Sequence, residues 1–113
     1  MKTEALVPYP DKRIEFSLQK AKFIPARPGC YVLTNFFNDI VYIGLSKNLN
    51  SRIKDHLDNK EKRQITANGL AYWFHYLLID NEHNLNSVER GWLNQYELNY
   101  GELPALNKVH SPL

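Results

Sequence analysis

Two runs rich in β-branched and aromatic residues stand either side of a turn signal. Pro28-Gly29-Cys30-Tyr31-Val32-Leu33 comes first, Asn38-Asp39 supplies the turn, and Ile40-Val41-Tyr42-Ile43-Gly44 follows. The pattern predicts an antiparallel hairpin. Side chains alternate along a strand, so Tyr31 should share a face with Leu33, and Tyr42 with Ile40 and Gly44, which lets a hairpin bring both phenols to one surface. Next, Leu49, Ile53 and Leu57 recur at intervals of four behind the capping candidates between Ser46 and Asn50, and this predicts a helix over 48–58. Residues 59–69 are polar and close on Asn68-Gly69, a turn signal. The apolar, aromatic-rich run from Leu70 to Ile79 then reads as a third strand with both faces covered. After a turn at Asp80 to Asn84, the residues Val88, Trp92, Leu93, Tyr96 and Tyr100 trace one helix face that stops at Gly101.

Residues 1–24 read as an irregular N-terminal arm packed on the domain. Prolines 8 and 10 interrupt it, and Arg13 to Leu18 permits a short strand or a helix. Residues 25–113 form the domain proper, in the order β-β-α-β-α with a tail through Pro104-Ala105-Leu106-Asn107. That order predicts an α+β fold, a small three-stranded antiparallel sheet flanked by helices. At 113 residues the chain suits one domain burying roughly 65% of its unfolded surface. No apolar run approaches the roughly 20 residues of a membrane span. The opening Met1-Lys2-Thr3-Glu4-Ala5-Leu6 lacks the apolar core of a secretory signal, so a cytoplasmic location is expected. The lone Cys30 fits that expectation and reads as a small buried hydrophobe.

Net charge is +2, too small to indicate a nucleic-acid partner by itself. Its distribution says more. Between Lys47 and Arg63 stand Lys47, Arg52, Lys54, Lys60, Lys62 and Arg63 against Asp55, Asp58 and Glu61. Such a segment can neutralise phosphates, and it can equally be a solvated helix face.

The individual residues are ambiguous taken singly. Tyr31 and Tyr42 suit ordinary strand aromatics, and Arg52 and His56 at i and i+4 suit an exposed helix face. Asn86-Ser87-Val88-Glu89 fits a capping box with Asn86 as N-cap, which would occupy Glu89 structurally. His75, His83 and His110 show no ligand spacing. Taken together, Gly29-Cys30-Tyr31, Tyr42-Ile43-Gly44, Arg52, His56, Glu89 and the Pro-x-x-Asn ending at Asn107 resemble the GIY-YIG nuclease superfamily over roughly residues 25–108. That family includes the N-terminal incision domain of the bacterial excinuclease and the intron homing endonucleases.

The resemblance implies a metal-dependent DNA endonuclease. Arg52 would grip phosphate with a permanently charged fork, and Glu89 would hold one Mg²⁺ or Mn²⁺ whose other ligands are mostly water and substrate. Tyr31 and Tyr42 would position the attacking water. His56, with an ordinary pKa near ~6.5, is the candidate base, shared with Tyr42, and Asn107 would brace the site. Gly44, Lys47, Arg52 and Lys54 are the candidate nucleic-acid contacts. Two departures from the family pattern are Cys30, harmless in a buried position, and Leu45, which replaces a polar or basic residue and removes one phosphate contact. No DNA-binding module follows, so site selectivity would be weak or supplied by a protein partner. Leu45 and the small net charge favour the competing reading, a catalytically weak module that binds nucleic acid or protein without cutting.

Overall fold

The computed structural model describes residues 1–108, apart from the side chain of Glu61; His110 lies outside them. In chain order the elements are β1 (Lys12–Glu15), α1 (Leu18–Ala21), β2 (Gly29–Thr34), β3 (Ile40–Ser46), α2 (Leu49–Asp58), α3 (Lys60–Arg63), β4 (Trp73–Leu78), α4 (Glu82–Tyr100) and α5 (Ala105–Lys108). The sheet is antiparallel with order β1-β4-β2-β3. It therefore has four strands rather than three. The extra one comes from the arm expected to be irregular: Arg13 and Ile14 pair with His75 and Phe74 at the edge of β4.

The predicted hairpin forms, with Tyr31 opposite Gly44 and Leu33 opposite Tyr42. Its turn rests on two asparagines. Asn38 takes φ 69°, a left-handed backbone that asparagine tolerates. The Asn35 side-chain oxygen accepts from the backbone N–H groups of Phe37 and Asp39 at 2.8 and 2.9 Å. Past the turn, Thr34 pairs with Ile40 but Leu33 with Tyr42, so Val41 is the extra residue of a β-bulge. The bulge overturns one expectation. Ile40 and Tyr42 do not share a face: Ile40 packs under α4 with Leu6, Trp92 and Tyr96, whereas Tyr42 joins Tyr31 on the opposite side with Leu49, Ile53 and Phe74.

The two sheet faces thus carry separate cores, one under α1, α2 and α5, the other under α4 and the N-terminal arm. Helix α2 starts where expected, capped by Asn48, whose side chain accepts from Ser51 N–H. Helix α4 starts earlier than the capping box implied. Asn81 is its N-cap, accepting from Asn84 N–H at 3.1 Å, and Asn86 sits inside the helix bonded to the Glu82 carbonyl. Gly101, with φ 73°, closes α4 in the left-handed conformation that glycine adopts without strain. No helix among the described residues is long and apolar enough to cross a membrane.

Candidate active site

Tyr31 and Tyr42 meet on the α2 side of the sheet, with ring centres 5.9 Å apart. Gly44 makes that meeting feasible. A Cβ there would lie 2.7 Å from Tyr31 Cζ and hydroxyl and 2.9 Å from Tyr42 Cε2, so the phenol of Tyr31 rests directly on the glycine backbone. The role visible for Gly44 is therefore steric. A Gly44→Ala variant is expected to push both phenols aside and lower any activity of the site by about a hundredfold, an effect of the size that ångström-scale misplacement causes. Nicking assays on the purified variant check this; unchanged activity would mean that the phenols tolerate displacement.

The two tyrosines differ in exposure. Tyr31 is fully buried, stacked on Phe74 at 5.0 Å, with its hydroxyl 2.5 Å from His56 Nε2. Tyr42 is half-buried. It is therefore the more exposed phenol, and Tyr31 lies behind it. Burial raises the pKa of both; for Tyr31 the neighbouring Tyr42 adds to the rise and Arg52 opposes it. For Tyr42, burial and the Glu89 charge act upward while Tyr31 and Arg52 act downward.

His56 departs from its expected state. It lies on the buried stripe of α2 with Leu49 and Ile53 rather than on an exposed face. Burial, then the charges of Lys62 and Arg52, push its pKa down to about 3. The imidazole is neutral at physiological pH and touches the phenol of Tyr31, so it is not a solvent-facing base near 6.5. His75, on β4, is likewise buried, bonded to Thr34 Oγ1 at 2.9 Å, with its pKa lowered to about 4 by burial and Arg13.

These two histidines set an acid limit on the fold. Their folded values lie below the ordinary 6.5, so the unfolded chain takes up protons that the folded chain refuses. Stability is full above about pH 6.5 and is lost as pH falls through 4 towards 3. By pH 4 the loss from His56 alone is on the order of 3 kcal/mol. Thermal melts from pH 7 to 4 should show a steep fall in Tm; a flat profile would contradict buried neutral imidazoles.

Arg52, also on α2, is half-buried and within reach of the Tyr31 hydroxyl, and its charge acts on Tyr42 and His56. Among the described residues no carboxylate pairs with it within 4.0 Å. Glu89 comes from α4 on the other side of the sheet, close enough for its charge to act on Tyr42 and on Cys30. It is half-buried, and burial raises its pKa against the pull of Arg90. With Asn81 as the true cap, Glu89 has no capping duty. The residue beneath it is Cys30, fully buried, its thiol donating to the Leu85 carbonyl at 3.2 Å and its pKa pushed to about 12 by burial. That cysteine is inert packing.

Asn107 is bonded to the backbone of β3. Its side-chain amide accepts from Ile43 N–H and donates to Ile43 C=O, both at 2.9 Å. Since β3 is the sheet edge, Asn107 satisfies the outward-facing backbone at the centre of the second motif, as one residue of a further strand would. It holds Tyr42 and Gly44 in register. Of the other candidates, Lys54 is exposed, and Lys47 is exposed and paired with Glu82 at 3.4 Å. Lys62 has no marker in the sequence that sets it apart from its basic neighbours: it is buried, with Nζ 4.7 Å above the Tyr42 ring.

Comparison with known proteins agrees with this geometry. The profile of the GIY-YIG catalytic domain matches residues 27–101. UvrABC system protein C of Mycoplasma mycoides subsp. mycoides is 28% identical over 99 residues, covering 81% of this chain and 16% of that protein. The same protein of Acidobacterium capsulatum is 26% identical over 95 residues, covering 81% and 15%. The chain thus spans less than a fifth of the length of these curated relatives. Among solved structures, the GIY-YIG N-terminal endonuclease domain of UvrC from Thermotoga maritima, a point mutant bound to its catalytic divalent cation, superposes with a TM-score of 0.59. It shares 20% identity, over 77% of this chain and 90% of that one. A second mutant of that domain gives 0.58. At such identity the likeness speaks for the fold; the family match spans most of the chain, and the chain belongs to the GIY-YIG family of nuclease catalytic domains.

Proposed function

We propose that this domain is a metal-dependent DNA endonuclease that hydrolyses phosphodiester bonds through a single-metal site. One observation carries the reading: Tyr42 stands against the Tyr31–His56 pair and lies within range of the charges of both Arg52 from α2 and Glu89 from α4. Phosphodiester hydrolysis needs an oriented water, positive charge at the phosphoryl oxygens and help for the leaving oxygen.

Glu89 is the residue to hold the metal. Its half-buried carboxylate has no ion-pair partner within 4.0 Å among the described residues, and burial disfavours its charge until a cation arrives. No three His, Cys, Asp or Glu side chains gather among the described residues. One hard carboxylate suits Mg²⁺ or Mn²⁺ completed by water and substrate. The divalent cation on the Thermotoga domain supports the same assignment. When bound, such an ion polarises the phosphate and stabilises charge on the leaving oxygen.

The chain's own residues do the rest. Arg52 grips the phosphate with two of its N–H groups. Tyr42 accepts the hydrogen bond of the attacking water. Tyr31, buried between Tyr42 and His56, fixes the direction of the Tyr42 hydroxyl; as Tyr42 takes the proton that the water loses, it hands its own to Tyr31, which hands its own to His56 Nε2. The low pKa of His56 keeps the imidazole neutral, so in the tautomer with its proton on Nδ1 the Nε2 can accept, and the negative charge of an arriving phosphate raises its affinity for that proton. Lys54 and Lys47 attract the DNA backbone. By analogy with the UvrABC relatives, a protein partner would supply site selectivity.

Supercoiled plasmid tests the reading. Purified protein should convert it to the nicked form with Mg²⁺ or Mn²⁺ and stop on chelation. A gel shift with no nicking in either metal would instead favour the binding module.

A further inference from the structure

In sequence, Lys62 belongs to a diffuse basic stretch, yet its side chain does not. It is 6% exposed, while Lys60 and Arg63 beside it on α3 are exposed. Its ammonium lies 4.7 Å from the centre of the Tyr42 ring, a cation–π distance. Burying an ammonium is costly. Here it also adds a second cation to a cluster that Arg52 already charges, since both lower the pKa of His56. The contact sets a cation on the phenol that the nuclease reading places against the attacking water. The residue after the second motif offers no such cation: Leu45 is packed on the α4 side of the sheet, away from the phenols.

We propose that Lys62 is a positioning residue of the nuclease site. It pins the Tyr42 phenol against the attacking water through the cation–π contact. Its charge also falls, with that of Arg52, on the imidazole that the Tyr31 hydroxyl meets. The inference rests on the nuclease reading for its kinetic part only. Among the described residues, the groups facing His56 are Tyr31 from β2, Tyr42 from β3, Arg52 from its own helix and Lys62 from α3. Lys62 is the charge among them that can be removed without touching Arg52 or the phenols.

Lys62→Met, which keeps the length of the side chain, and Lys62→Arg, which keeps its charge, are compared with the wild type. Single-turnover nicking at saturating Mg²⁺ should fall about tenfold in the methionine variant, the scale of one cation–π contact. Half-saturation by DNA should move less than about twofold, as for one group off the backbone path. The arginine variant should recover most of the rate. Independently of cleavage, NMR titration of the His56 imidazole should show protonation beginning at higher pH in Lys62→Met. Full nicking by the methionine variant overturns the proposal, as does an unmoved His56 titration. A rate loss that merely follows a fall in Tm, with no rescue by arginine, overturns it too. If the wild type fails to nick at all, the nuclease reading falls, and the His56 titration alone decides where Lys62 acts.

Discussion

Glu89→Gln is expected to abolish metal-dependent cleavage while leaving the fold as it is. The helix around it does not depend on the carboxylate: α4 begins seven residues earlier and is capped by Asn81. Gln matches Glu in size and in helix propensity. It also removes a charge whose burial is unfavourable, as the raised pKa of Glu89 records, so stability should hold or improve slightly. What it cannot supply is the anionic oxygen that a hard divalent cation requires. Among the described residues no group of three metal-ligating side chains offers a substitute. Nicking in Mg²⁺ should therefore drop by more than about a thousandfold, the combined loss of Lewis acid and oriented ligands. Plasmid nicking and a thermal melt together check this. A glutamine variant that nicks at the original rate would reduce Glu89 to a helix residue and move the metal elsewhere.

Arg52→Ala should slow cleavage by about 10²–10³-fold, the usual effect of removing one preorganised donor from a developing oxyanion. DNA binding should suffer far less. Lys47, Lys54, Lys60 and Arg63 remain exposed to the solvent side and keep the diffuse attraction; the salt dependence of binding should fall by about one phosphate contact. Lys62, being buried, is no part of that reserve. The fold should tolerate the change, because Arg52 has no carboxylate partner among the described residues and its removal relieves His56 of one like charge. Loss of activity accompanied by a collapsed thermal melt would show Arg52 to be structural.

Local chemistry made the hairpin, α2 and the end of α4 readable from sequence. Asn38-Asp39, Asn48 and Gly101 each act through backbone geometry within a few residues. What escaped depends on distant packing. β1 is four residues long at a sheet edge, so its pairing with β4 decides its conformation more than its own composition does. The bulge at Val41 has no marker in the apolar run around it, although it alone separates Ile40 from Tyr42. Asn81, Asn84 and Asn86 all suit an N-cap, and choosing Asn86 obscured the freedom of Glu89. The cluster of Tyr31, Tyr42, Arg52 and His56 followed from spacing. Its electrostatics did not, because whether His56 or Lys62 faces water is set by burial between α2, α3 and the sheet, which no local pattern carries.

The central claim is that one divalent cation sits on Glu89, facing Tyr42 and Arg52. Manganese-induced broadening in NMR spectra of the ¹⁵N- and ¹³C-labelled protein tests it most directly. Sub-stoichiometric Mn²⁺ should broaden the signals of Glu89, Cys30 and the Tyr42 ring first, and Glu89→Gln should remove the effect. Broadening centred on Asp55 and Asp58, or unchanged in the glutamine variant, would contradict the account.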